Sequence, residues 1–201
     1  MPHPPIMIPE VGGQELVHIE ATVNAAKKVA QQLKDANPQT IVIITPHGPV
    51  FADAIGITLH PHLRGSLANF GAPEVSLGFE TDGLLIRNII KKAERLGINL
   101  VRLTDDLAKQ YRFSLTLDHG ALIPLYYLHK AGFKGQIVHI TIGMLPYEEM
   151  YTFGKALQAA IAAGDRKVAV IASGDLSHRL IPGAPAGYSP AGAEFDRQIV
   201  A

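Results

Sequence analysis

Apolar positions along this chain keep two rhythms in turn. Short β-branched runs give way to longer stretches with apolar residues three and four apart, and that alternation predicts an α/β domain. Residues 20–36 are the first long helical stretch, with Val23, Ala26, Val29 and Leu33 on one face and Asn37-Pro38 as its stop. "TIVIIT" at 40–45 is the clearest strand and runs into a Pro-His-Gly turn. "AIGITLH" reads as a strand leading into a loop, with mixed signals up to Phe70. "TDGLLIRNIIKKAERLG" carries a Thr/Asp cap and a closing Gly97, so it is a helix, and "INLVRL" is the strand after it. Residues 118–130 form a further helix with Leu122, Leu125 and Leu128 packed inward. "GQIVHITIG", "YEEMYTFGKALQAAIAAG" and "RKVAVIASGD" then read strand, helix, strand. Residues 6–8 are expected to be a short buried strand behind the opening prolines. Past Leu180 a Pro/Gly-rich loop, "IPGAPAGYSPAG", leads to "AEFDRQIVA", a helix begun at Ala193 with no stop before Ala201. The expectation is one domain over 1–201, a central mixed sheet flanked by helices, truncated at its C-terminal end.

Composition narrows the chemistry. The 201 residues suffice for one packed core, and 18 basic residues balance 18 acidic ones, so no net charge recruits nucleic acid or an anionic membrane. Lys91, Lys92 and Arg95 read as the solvated face of a helix. No apolar run spans a bilayer and no signal peptide is recognisable, which with the absence of cysteine fits a cytoplasmic protein. Without cysteine there is no thiolate nucleophile or thiolate metal site. Any metal must be held by carboxylates and by some of the nine histidines.

In open α/β sheets, ligand sites gather where strands end. His47 follows "IVIIT", His178 follows "VAVIASGD", and His119 in "LDHG" opens a helix facing the same side. His3 precedes its expected strand, so it reaches that side only if the strand runs the other way or its entry loop folds over. All four sit beside turn formers, in "PHPP", "PHGP", "DHGA" and "GDLSHR", where backbone can approach a ligand closely. The other histidines read more plainly. His60 and His62 flank a proline on an expected surface loop, His18 and His129 lie on helices, and His139 alternates within "IVHITI", packed or facing the opposite layer. Asp118 and Asp175 are candidates both to orient neighbouring imidazoles and to cap turns.

Taken in order, "PHPP", "TPHGP", "DHG" and "SGDLSHR" resemble the class III extradiol ring-cleavage dioxygenases. Within that superfamily the chain is most similar to the dioxygenase-like domain of AmmeMemoRadiSam system proteins, relatives of Memo. "SGDLSHRL" followed by "PAGYSP" and "EFD" is the most specific part. The resemblance implies that His3 and His47 bind a catalytic Fe(II), with Zn(II) as a substitute. It implies that His178 is the acid/base and His119 a second active-site histidine near substrate and oxygen. It places the third metal ligand, a glutamate, beyond Ala201, so Glu194 of the "EFD" segment is not taken as that ligand.

Such a set suits the opening of an aromatic diol by dioxygen, since two histidines and a carboxylate leave other metal positions free. The partners implied are a small aromatic substrate and O2, with room for a homo-oligomer, an appended domain or a radical-SAM partner. A competing reading is a Memo-like metal-binding or redox accessory protein without ring cleavage, because a fold does not carry its founding chemistry. A zinc hydrolase ranks last, as no H-E-x-x-H motif is present.

Overall fold

The computed structural model describes residues 1–184 and 186–201, so the expected Pro/Gly-rich loop is described except at Pro185. Its elements in chain order are α1 (Pro9–Gly12), α2 (Glu20–Ala36), β1 (Thr40–Thr45), β2 (Ile55–Thr58), β3 (His62–Leu67), β4 (Ala72–Glu80) and α3 (Gly83–Arg95). They continue with β5 (Leu100–Leu103), α4 (Asp105–Tyr111), α5 (His119–Lys130), β6 (Gln136–Thr141), α6 (Tyr147–Ala162), β7 (Val168–Ala172) and α7 (Pro190–Val200). The central sheet has the order β5-β2-β6-β1-β7. β1 lies parallel to β6 and β7, β2 parallel to β5, and the β2–β6 pair is antiparallel, which makes the sheet mixed as expected.

Strand alternation divides the core between the two faces of this sheet. Ile41 and Ile43 of β1 and Ile137 of β6 face α2, α5 and the β3–β4 hairpin. Val42, Val138 and Ile140 face α3 and α6. The same parity sends Thr45 and His139 toward α5, and this decides their roles below. On α2 the buried stripe runs through Val23, Ala26 and Ala30, with Val29 turned partly to solvent. Asn37, at φ 51°, ends α2 in the left-handed conformation that asparagine tolerates.

Residues 6–8 are not a strand. Pro5–Met7 and Gly13–Ile19 form 3-10 turns on either side of α1. Pro4, Pro5 and Pro9 have no N–H to give a ladder, and the local bonds Met7 N–H to Pro4 O and Ile8 N–H to Pro5 O, both 3.0 Å, close tight turns instead. The very first residues run along the exit of β7. The Met1 ammonium donates to Ala172 O at 2.6 Å, and Gly174 N–H donates to Met1 O at 3.1 Å. The entry loop has folded over, and His3 reaches the strand ends that way.

The β3–β4 hairpin occupies much of the stretch that reads as a loop. Leu63, Leu67, Val75 and Phe79 bury one face, a period-2 signal diluted by Gly65, Pro73 and Gly78. Gly65 is needed for contact. A Cβ there would lie 2.6 Å from Leu117 O, and Leu117 N–H donates to Arg64 O at 2.8 Å. The hairpin therefore guides the chain into Asp118 and the start of α5. The short α4, capped by Thr104, lies within a stretch with no helical signal strong enough to read.

At the start of β1, remote from the strand ends that carry the histidines, Asp82 caps α3. It accepts from Leu85 N–H at 3.0 Å, from the buried Thr40 hydroxyl at 2.7 Å and from Arg166 at 3.0 Å. Asp82→Ala should destabilise the fold by about 2–4 kcal/mol, the sum of a lost cap and a stranded buried hydroxyl. Urea unfolding would show it, while metal affinity should stay unchanged.

Candidate metal centre

Three segments far apart in sequence deliver imidazoles to one place. His3 arrives on the N-terminal turn, His47 follows β1, and His119 is the first residue of α5. One ring nitrogen from each lies within 4.8 Å of the others. Ring centroids are 4.9 Å apart for His3–His47, 4.1 Å for His47–His119 and 5.6 Å for His3–His119. His3 is buried, and the other two are half-buried.

The donor set fits a transition metal. Imidazole nitrogens suit iron, zinc, copper and nickel. The Nε2 atoms of His3 and His47 stand 3.0 Å apart. Two nitrogens bound at right angles to one ion, with bonds of about 2.1 Å, are separated by about 3 Å. The fold disfavours protonation of His3 and His119. Burial, with the nearby His47 and His119 rings, pushes the His3 pKa down against the opposing pull of Asp175. Burial and His47 likewise lower that of His119, against Asp118 and Asp175. Neutral rings with free lone pairs are what a metal requires.

Asp118 holds the frame. Its Oδ1 accepts from the Thr45 hydroxyl at 2.7 Å and from Ala121 N–H at 3.1 Å, capping α5, and its Oδ2 lies 3.2 Å from His139 Nε2. Burial opposes ionisation here, yet the hydrogen bond and charge of His139, with the bonds from Thr45 and Ala121, bring the pKa down to about 2. An ionised carboxylate only accepts, so His139 carries a proton on Nε2. Thr45 also accepts from His47 N–H at 3.1 Å. One carboxylate thus steadies both His119, its chain neighbour, and His47. Both roles weighed for Asp118, cap and orienting acceptor, are filled at once.

Asp175 stands on the other side. Its Oδ1 accepts from His3 N–H at 2.8 Å, and its Oδ2 lies 3.5 Å from His3 Nε2 and 3.6 Å from His178 Nε2. His178 is largely exposed and joins the cluster through this carboxylate. Its loop is tied to α7, where Asp196 accepts from Ser177 N–H at 2.8 Å. Glu194 on α7 pairs with Arg197 and Gln198. His62 has both ring nitrogens engaged, one facing Glu80 at 2.8 Å and the other accepting from Arg64 at 3.0 Å, and it belongs to a strand rather than a loop.

Sequence reasoning did not single out Thr45, Gly120, Ser173 or Phe70. The Phe70 ring meets His119 edge-on at 5.2 Å. Gly120 is required by contact, since a Cβ would fall 2.5 Å from Thr45 Oγ1 and 2.8 Å from His47 Cδ2. The Gly beside His in "DHG" was the available hint.

An α/β domain whose strand ends gather three imidazoles within reach of one ion defines a candidate metal centre. The whole chain, residues 1–201, matches the family described as the catalytic LigB subunit of aromatic ring-opening dioxygenase, and it belongs to that family. It is 40% identical over 200 residues to Protein CA_C1420 of Clostridium acetobutylicum, covering all of this chain and 43% of that protein. It is 25% identical over 204 residues to the 3,4-dihydroxyphenylacetate 2,3-dioxygenase of Escherichia coli, covering 98% and 71%. It is 30% identical over 182 residues to the MEMO1 family protein TK1477 of Thermococcus kodakarensis, covering 89% and 55%. The chain therefore spans about half the length of the Clostridium and Thermococcus relatives. None of the described helices is long and apolar enough to cross a membrane.

Two outcomes follow from this geometry. Gly120→Ala should displace His47 and weaken binding of a divalent metal about tenfold, read by competition titration. For the metal-free protein, His3 and His119 bind protons less readily when folded than when unfolded. Their contribution to stability is complete above the unfolded histidine pKa of about 6.5 and is lost as pH falls below it. Urea midpoints measured at pH 7.5 and 5.5 should drop on acidification, and the drop should shrink in a His3→Asn, His119→Asn double variant.

Proposed function

We propose that this domain is the catalytic-type domain of a non-haem Fe(II)-dependent dioxygenase that opens a catechol-type ring in the extradiol mode. The observation that carries the reading is the convergence of His3, His47 and His119, with His178 linked to them through Asp175. His3 and His47 would hold the ion. His119 lies close enough either to join them or to hydrogen-bond substrate and oxygen. The ion, when bound, would supply the redox chemistry between an aromatic diol and dioxygen, by which the ring bond beside the diol breaks and both oxygen atoms enter the product.

The remaining steps belong to the chain. His178 removes a phenolic proton as substrate binds, since its exposed ring can meet an incoming hydroxyl. The Asp175 carboxylate, its Oδ2 3.6 Å from His178 Nε2, orients that ring toward the site. His119, flanked by Phe70 and His47, donates to the oxygen on which negative charge develops. The Phe70 edge offers an apolar surface against which an aromatic substrate can rest.

A second reading rests on a separate finding. Similarity to a MEMO1 family protein supports a metal-binding or redox accessory role without ring cleavage, beside a radical-SAM enzyme. Anaerobic loading with Fe(II), followed by oxygen uptake with a panel of catechols, separates the two. Uptake with a yellow ring-fission product supports the dioxygenase, and inert stoichiometric iron supports the accessory protein.

His3→Ala should abolish tight Fe(II) binding while the far-ultraviolet circular dichroism stays native. Retained stoichiometric iron would remove His3 from the ligand set. His178→Gln should keep the metal and lower kcat by about 10²–10⁴-fold, the usual contribution of a general base.

A further inference from the structure

Pro124 sits inside α5 and is buried. In a regular helix its N–H would bond to the carbonyl four residues back, that of Gly120. Proline has no such hydrogen, and its ring crowds that carbonyl outward. The Gly120 carbonyl, one residue past His119, is therefore left without its helical donor. Ser173, just past β7, supplies one, its Oγ standing 2.5 Å from Gly120 O. The same Oγ lies 2.8 Å from His3 Nδ1, and the group is buried.

A serine hydroxyl has one hydrogen, and a carbonyl can only accept. With that hydrogen given to Gly120, Ser173 must accept from His3. We infer that Pro124, Gly120 and Ser173 form a relay that fixes His3 in the Nδ1–H tautomer, leaving its Nε2 lone pair free toward His47 and His119 against the opposing pull of Asp175 Oδ2, 3.5 Å away. Ser173 is thus a positioning residue, and Pro124, more than a turn along α5 from His119, sets its direction. In the metal-free protein the 3.0 Å contact between the two Nε2 atoms is made by a proton on His47. With a metal, His3 needs no change of tautomer to bind. The relay also joins two ligand-bearing segments, the N-terminal turn and the start of α5, through one hydroxyl at the end of β7.

The test is a long-range proton–nitrogen correlation spectrum of the metal-free full chain labelled in histidine nitrogen. This reads each ring's tautomer directly. In the wild type, His3 should show Nδ1–H. In Ser173→Ala it should move to Nε2–H, while His139 keeps its Nε2 proton as the sign of an intact fold. Ser173→Thr, which keeps the hydroxyl, should restore the wild-type tautomer. Pro124→Ala, which returns an N–H to Gly120 and frees the serine hydrogen, should move His3 in the same direction by a smaller fraction. Zn(II) affinity, measured by competition, should fall about 10–100-fold in Ser173→Ala, the usual cost of losing a group that orients a ligand.

His3 as Nε2–H in the wild type, or an unchanged tautomer in Ser173→Ala with His139 intact, overturns the relay. No shift in Pro124→Ala overturns the role of the proline, and that variant alone decides should Ser173→Ala fail to fold. The affinity result rests on the metal reading above, but the tautomer result does not. A relay that responds as expected in a protein that binds no Zn(II) or Fe(II) would sink the metal reading and leave the relay standing.

Discussion

The partly buried carboxylate of Asp118 is the interaction on which the site depends. It gathers the Thr45 hydroxyl at the end of β1, His139 on β6 and the first turn of α5. An ionised group with so little solvent persists only when several donors meet it, and here three do. Because each donor belongs to a different element, the carboxylate fixes how α5 meets the sheet. His119 follows it directly in the chain, and His47 hangs from Thr45, so two of the three rings inherit their places from this one anchor.

The third ring is anchored from the opposite edge. Ser173 and Asp175, on the segment leaving β7, hold the side chain and the backbone of His3. The N-terminal residues could not otherwise be trusted to stay in place, since chain ends fray unless tied down. The prolines on either side of His3 limit its backbone, and the bonds to the exit of β7 supply the direction. With both anchors set, three imidazoles face one another within reach of a single ion. Such preorganisation lowers the ordering cost of binding. His178, largely exposed, stands at the rim of this cluster beside Asp175.

Much of the scaffold was legible along the chain. β1, the span of α2 and the caps of α3 and α5 follow from β-branching, helical spacing and the placement of Asp, Gly and Pro. Three of the four histidines flagged by the turn formers beside them, His3, His47 and His119, do meet in space. The misreadings have local causes. Residues 6–8 are apolar enough for a strand, but three prolines deny them a ladder. The β3–β4 hairpin hides its alternation behind glycines that are small because Leu117 and neighbouring side chains pass close by. His139 was ambiguous because period-2 alternation assigns a face without saying what waits on it.

By itself the sequence determined the alternation of strands and helices, the lack of any thiolate, and a set of histidines placed where turns leave strands. Those are local properties, written in side-chain shape and backbone preference. Only the tertiary structure decided that the N-terminal turn doubles back along β7, that His139 faces Asp118, and that the carbonyl freed by Pro124 finds Ser173. Each of these joins residues from 21 to 171 positions apart. Hydrogen-bond partners at such separations are chosen by how the layers pack, and no local pattern records that choice.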